Sequence, residues 1–363
     1  MSISFNQERW NKISEVYRAY WDRKIDRPVM GIAVWERNPG RECPDVPLLS
    51  QQNCNNLSIS ADQIVDRMEY ELSCYEFYGD AFPMFNMDCF GPGIIAGFLG
   101  AELDNSTGRV WFHPGQEKEI KDLQFAYNPD NVWLKRVKEI YKKAAERFEG
   151  NILMGMTDLG GVLDILSTFR PGEKLLMDLY DEPEQVHRLV QQIDVLWKQF
   201  YDDLQSVLRP SNPGYTDWST IYSDKPSYVI QCDFSYMISP DMFEDFALPS
   251  IKKHCQSLDR TVYHLDGPGE LNHIDALLAV EELDAIQWIQ GEGNPSSDYY
   301  IDLYQKILSA GKQVQLSWCS LEVFEKIIQE MGSGKGFHHP MVYVGKDDKE
   351  YALHMLKKLG IEK

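Results

Sequence analysis

Short runs of Val, Ile, Met and aromatic residues recur along the chain, each followed by a stretch with helical spacing, and this alternation most limits what the chain can fold into. The runs are Val29–Trp35, Phe82–Asp88, Ile152–Asp158, Val229–Phe234, Thr261–Asp266, Ala285–Ile289, Gln313–Trp318 and Gly336–Val344. Most lack polar alternation, as strands covered on both faces do. Helical spacing runs through Pro240–Leu258 and Ser297–Ser309. Ser320–Met331 and Asp347–Leu359 end at Gly332 and Gly360, the residue type that best accepts the left-handed turn closing a helix. Eight strands, each followed by helix, predict an α/β protein of the (β/α)8 TIM-barrel type, with all 363 residues in one domain. A doubly wound open sheet is the alternative, but no glycine-rich dinucleotide turn follows the first strand. Residues 1–27 read as a helical extension and Pro183–Val207 as an added helix. Gly91–Pro129, with its Trp111-Phe-His-Pro-Gly115 turn, reads as a β-hairpin excursion over the barrel mouth.

Charge narrows the partners. Lys+Arg minus Asp+Glu is 36 − 56 = −20, a surplus that repels phosphate backbones and anionic lipid, so neither nucleic acid nor a membrane surface is expected. The opening segment mixes charges with aromatics, unlike a signal peptide, and no stretch reaches the length of a membrane span. Seven cysteines, odd in number and never in C-x-x-C spacing, fit reduced thiols in a cytoplasmic protein. Apolar faces left on the outer helices would allow a homodimer.

In such a barrel, function sits at the C-terminal ends of the strands. Trp35 ends the first run, Asp88 the second, Asp158 the third and Asp233 the fourth. His264 and Asp266 end the fifth, Gln287 and Trp288 the sixth, with Glu292 just beyond, and Trp318 the seventh; His338 lies early in the eighth. An unpaired buried Asp costs several kcal/mol, so carboxylates closing successive strands need a polar reason, and a shared small-molecule site is the simplest. His264 and Asp266, two apart on a strand, face the same way and suit an acid–base or metal-ligand pair. Each feature also has a plain structural alternative. Asp88, Asp158 and Asp233 suit helix N-caps. Trp35, Trp218, Trp288 and Trp318 suit either core packing or an aromatic box for a cationic amine. Glu292 suits a solvated loop. His338 and His339, being adjacent, cannot both face the interior.

One segment carries a family likeness. Asp233-Phe-Ser-Tyr-Met-Ile-Ser-Pro-Asp-Met-Phe-Glu-Asp-Phe-Ala-Leu-Pro249, followed by Tyr263-His-Leu-Asp-Gly267, resembles the uroporphyrinogen decarboxylase superfamily, which includes the cobamide-dependent methyltransferases. Leu159–Asp181 and Phe85-Asn-Met-Asp88 with the nearby Gly91-Pro-Gly93 resemble its third-strand loop and second-strand end. The likeness spans about Ser60 to Gly360 and implies a (β/α)8 barrel.

Two activities follow from the resemblance. On the methyltransferase side, a corrinoid carrier protein passes a methyl group to a small acceptor, with the cobalamin on that partner, because this chain has no D-x-H-x-x-G motif. That branch holds zinc with H-x-C and a later Cys; here His264 is kept, Asp266 stands in place of the first Cys, and the later position falls at about Val344–Gly345. His264 and Asp266 are then the metal ligands, and with Asp233 they position or deprotonate the acceptor, framed by Asp88, Trp35 and Gln287. On the decarboxylase side, Arg37-Asn-Pro-Gly-Arg41 resembles the segment that pairs substrate carboxylates, and Asp88 matches the aspartate facing pyrrole nitrogens. The tyrosine of that branch falls at about Asp164 and its serine at Phe234. The methyltransferase is the primary expectation, the cofactor-free carboxy-lyase the alternative, and a non-catalytic ligand-binding barrel the third. Candidate catalytic residues are thus His264, Asp266, Asp233 and Asp88. Candidate substrate contacts are Trp35, Arg37, Arg41, Asp158, Gln287, Trp288, Glu292, Trp318 and His338.

Overall fold

Twelve strands form among residues 3–362, the part of the chain that this computed structural model describes. In chain order they are β1 (Gly31–Trp35), β2 (Tyr75–Gly79), β3 (Met84–Phe85), β4 (Glu102–Asp104), β5 (Trp111–His113), β6 (Leu153–Met154), β7 (Ser227–Ile230), β8 (Arg260–Asp266), β9 (Ala285–Ile289), β10 (Gln313–Leu316), β11 (Phe337–His338) and β12 (Val342–Gly345). Strands β7 to β11 lie side by side in one sheet, every pair parallel. Their residues are almost wholly buried, which is why they read as continuous apolar runs. β1 pairs parallel with β12 and antiparallel with β2, β3 pairs parallel with β6, and β4 with β5 makes the expected hairpin. A parallel bridge between Val29 and His338 connects the edge of the five-stranded sheet to the segment entering β1. The protein is α/β, and the eight expected runs are distributed over separate ladders.

Prolines account for two departures from expectation. Pro340 has no N–H to give a ladder, and the expected last strand is divided on either side of it into β11 and β12. Pro83 likewise precedes the two residues that remain of the expected second strand. β2 was not anticipated: Tyr75–Gly79 is aromatic-rich, and all five of its residues pair with β1.

Helices cover the strands through one continuous hydrophobic cluster. Their ends follow local chemistry. Ser60 and Gln63 form a reciprocal capping box ahead of Ala61–Ser73, and Ser320 caps Leu321–Met331, which closes on the left-handed Gly332. After Asp233 the helix widens into a π-turn over Phe243–Ala247, immediately before Leu248-Pro249, where proline withholds a backbone donor. The N-terminal helix Gln7–Trp21 buries Trp10, Tyr17, Tyr20 and Trp21. The Gln313 amide at the start of β10 donates to Tyr20 O at 2.5 Å, so this helix covers the end of the sheet opposite the one where β10 stops. All seven cysteines are free thiols, and no described helix is long and apolar enough to cross a membrane.

Candidate functional site

The C-terminal ends of β7 and β8 bring three donors together. Along β8, Tyr263 and Leu265 are buried while His264 and Asp266 share the partly open face. Asp233 begins the short helix that follows β7. One ring nitrogen of His264 and one carboxylate oxygen from each of Asp233 and Asp266 lie within 4.8 Å of one another. His264 Nδ1 is engaged by Gln287 Oε1 at 2.5 Å, so Nε2 is the nitrogen left free. Trp218 meets the imidazole edge-on at 5.0 Å.

Three cavities converge on this cluster. One of about 390 Å³ is lined by Asp88, His264, Asp266, Gln287, Trp218 and Trp318. A second, of about 490 Å³, runs from Asp233 and Asp164 to the hairpin residues Trp111, Phe112 and His113. The third, about 380 Å³, reaches Asp233 and Asp266 from Tyr236, Gly291 and Asn294. No Lys or Arg lines any of them. Trp318 and Thr220 line the first cavity with φ of +56° and +62°, conformations that cost a bulky or β-branched residue free energy and often accompany a binding wall.

Crowded carboxyls set the electrostatics. Desolvation within the cleft, and then the Asp266 charge, pushes Asp233 up to about 7, although it is the most exposed of the three donors. Burial and the Asp233 charge push Asp164 up to about 7 as well, against backbone N–H groups of Phe234 (2.7 Å) and Asp233 (3.1 Å) that favour its ionised form. The two titrate together near neutrality. Burial raises Asp88 and lowers His264, which leaves the imidazole neutral at pH 7. Glu270, fully buried, is pushed up to about 10 by burial and then by Asp233, so it stands as a neutral acid, with Oε2 accepting the Asp266 N–H at 3.2 Å.

A pH dependence follows. Between about 4 and about 7 the folded chain keeps protons on Asp233 and Asp164 that the unfolded chain has lost. Stability therefore falls as pH rises through that window. Calorimetry of chelator-dialysed protein is expected to give Asp233→Asn a higher Tm than wild type at pH 8 and an equal one at pH 4. Parallel curves at both pH values would show that Asp233 is not under this strain.

Not every anticipated residue reaches the cleft. Asp88, Trp318 and Gln287 do, although Gln287 meets His264 itself. Asp158 is buried and holds loop backbone, accepting from Gly160 N at 2.9 Å and Gly93 N at 3.4 Å; the helix that follows is capped at Gly161, so Asp158 is not its N-cap. Trp288 lies on the opposite face of β9, fully buried against Tyr300. Trp35 packs edge-on against Tyr75 at 5.1 Å, away from the cavities. Arg37 pairs with Glu76 at 3.6 Å, and Arg41 with Asp66 at 2.9 Å and Glu69 at 3.7 Å, so neither faces the cluster. Glu292 stays exposed on a loop whose Gly291 and Asn294 border a cavity. His338 is fully buried between Gln315 and Tyr17, while His339 turns towards Cys319 O.

Two contributors, Asp164 and Glu270, were not among the candidates, whereas Trp218 was one of the expected aromatic walls. Asp164, in the first turn of Val162–Phe169, looks like an ordinary dipole partner of that helix. Glu270 follows Gly267-Pro-Gly269 and reads as loop. Trp218 to Thr220 lie in an irregular segment fixed by buried Asp217, which accepts from Ser219 N and Val229 N at 2.8 Å each. Compared with protein-family models and with curated proteins, the sequence gives no match.

Proposed function

We propose that the chain is a small-molecule enzyme, a methyltransferase that accepts the methyl group of a corrinoid carried by a partner protein and uses a divalent metal held by His264, Asp266 and Asp233. The observation that carries this reading is the convergence of one free imidazole nitrogen and two carboxylates at the junction of three cavities without a cationic wall. The donor set fits a metal: an imidazole with two carboxylates suits zinc and harder divalent ions, and a cation offsets the desolvation and the Asp266 charge that raise Asp233. The His-x-Asp-Gly strand end supports the methyltransferase likeness. The same reading takes the strands as a (β/α)8 barrel; the Val29–His338 bridge and the Met156 N–H bond to Thr216 O at 2.8 Å support closure between ladders.

Such a metal, when bound, makes a thiol or similar acceptor acidic enough to react at neutral pH. The chain's own groups hold the acceptor and dispose of its proton. Asp88, on the same cavity as His264 and with its affinity for protons raised by burial, takes the acceptor proton. The partner's corrinoid would supply the methyl group as an electrophile for the freed acceptor lone pair and would keep both electrons of the broken carbon–cobalt bond. Trp218 and Trp318 wall the cavity.

Metal-free protein titrated with Zn²⁺ in a calorimeter, then mixed with methylcobalamin and a panel of small thiols and amines, tests the reading. One equivalent of zinc and zinc-dependent loss of methylcobalamin with a methylated product are expected. No stoichiometric metal and no transfer would overturn it. Conversion of uroporphyrinogen to coproporphyrinogen would instead support the carboxy-lyase, and ligand binding without turnover the non-catalytic barrel.

A further inference from the structure

His264, Gln287, Gln315 and His338 occupy four adjacent parallel strands, β8 to β11, and are register partners in turn: His264 opposite Gln287, Gln287 opposite Gln315, Gln315 opposite His338. Register partners in a parallel sheet project from the same face, so the four side chains form one polar row through an apolar interior. Gln287 is 1% exposed, and Gln315 and His338 are 0% exposed. A buried amide is tolerable only when its donors and acceptors are matched, and here they are matched end to end.

The direction of the row follows from one atom. The carbonyl oxygen of Ser219 can only accept, so the Gln315 amide atom 2.9 Å from it is the nitrogen. The other hydrogen of that nitrogen goes to His338 Nδ1 at 2.9 Å. Gln315 Oε1 therefore accepts from Gln287 Nε2 at 2.6 Å, which turns Gln287 Oε1 towards His264 Nδ1 at 2.5 Å. An amide oxygen there requires a hydrogen on Nδ1. At the far end, His338 accepts through Nδ1 and so offers its Nε2–H to the Tyr17 hydroxyl at 3.3 Å.

We propose that Gln287 and Gln315 are positioning residues that lock His264 in the Nδ1–H tautomer and thereby reserve its Nε2 lone pair for the cavity. Gln287 borders the cavity but spends its amide on Gln315 and His264, and Gln315 lies behind it, so both act through His264. The anchor is a main-chain carbonyl, so the lock is set by the fold of the Trp218–Thr220 segment and holds with or without a ligand. The consequence for metal affinity rests on the ligand reading of His264 given above, whereas the tautomer itself does not.

The test uses the full chain, metal-free and labelled with ¹⁵N-histidine, with His264 assigned from the signals lost in His264→Ala. Long-range ¹H–¹⁵N spectra recorded where the ring is neutral are expected to show His264 as the Nδ1–H form. Gln315→Met frees the Gln287 amide to flip and is expected to give a mixture of tautomers, with zinc binding weakened by about tenfold. Gln287→Glu is expected to keep the Nδ1–H form: a neutral acid there accepts from His264 through its carbonyl and donates its hydroxyl to Gln315. A wild-type Nε2–H tautomer, or an unchanged tautomer in a folded Gln315→Met variant, would overturn the lock. Should Gln315→Met fail to fold, the wild-type spectrum and Gln287→Glu still decide. Tautomers behaving as stated in a protein that binds no zinc would uphold the lock and remove the metal.

Discussion

Replacing His264 with alanine is expected to weaken zinc or Co²⁺ binding by more than about 100-fold while leaving the fold intact. Loss of a group that merely orients a metal ligand already costs about 10- to 100-fold, so loss of the ligand sets a higher floor, about 2.7 kcal/mol or more. Asp233 and Asp266 alone leave two carboxylates in a negative cleft, a set that holds a divalent ion loosely. The fold survives because His264 is only partly buried and its one strong bond is to the Gln287 amide. Co²⁺ absorption reads the loss directly, and zinc-dependent methyl transfer should fall with it. Arg41→Ala is the informative companion. Its guanidinium lies with Asp66 and Glu69, so neither metal binding nor transfer should change. A decarboxylase that used this arginine to hold substrate carboxylates would lose activity instead. Equal metal affinity in wild type and His264→Ala would remove the imidazole from the site.

How much of this site could be read in advance depends on strand parity. The alternation of apolar runs with helices located β8, β9 and β10 closely, and strand-end position singled out Asp88, Asp233, His264 and Asp266. Within a run buried on both faces, however, no polar alternation marks which residues face the cleft and which face the helices. Gln287 and Trp288 are neighbours on β9, and one position decides that the amide meets His264 while the indole enters the core. The ion pairs of Arg37 and Arg41 were illegible for a different reason. Their partners Glu76, Asp66 and Glu69 come from later elements, and no local pattern announces a pairing made by the tertiary fold. Pro340 was legible as a breaker, but the long apolar run around it masked the division of the last strand. Asp164 and Glu270 carry no sequence signal, because their perturbation comes first from burial and then from the Asp233 charge, both supplied only by the tertiary fold.

Trp197→Ala is expected to cost about 3–5 kcal/mol of stability, the range for deleting a large buried aromatic. The side chain is 1% exposed in the helix Pro183–Leu208, stacked at 4.0 Å on His254 and edge-on at 5.3 Å to Tyr228. Its indole N–H also donates to Gly160 O at 3.0 Å, while the Tyr228 hydroxyl accepts from Leu159 N at 2.7 Å. The two rings thus hold the segment 157–161 that carries Asp158 and leads into the helix bearing Asp164. That segment has no slack: a Cβ on Gly161 would lie 2.2 Å from Gln231 O. Truncating Trp197 leaves a cavity and an unpaired carbonyl beneath the segment, so the damage should travel to Asp164 and to the amides it accepts from. Two readouts separate packing from anchoring. Trp197→Phe keeps part of the stacking but loses the N–H bond and some ring volume, so urea melts should show a smaller cost, about 1–3 kcal/mol. Hydrogen exchange at the Phe234 amide, bonded to Asp164 Oδ1 at 2.7 Å, should lose protection in Trp197→Ala beyond what the global loss explains. A change below 1 kcal/mol in the alanine variant, or unchanged exchange at Phe234, would mean that the segment is held without the indole and that the cleft's acidic wall does not depend on this helix.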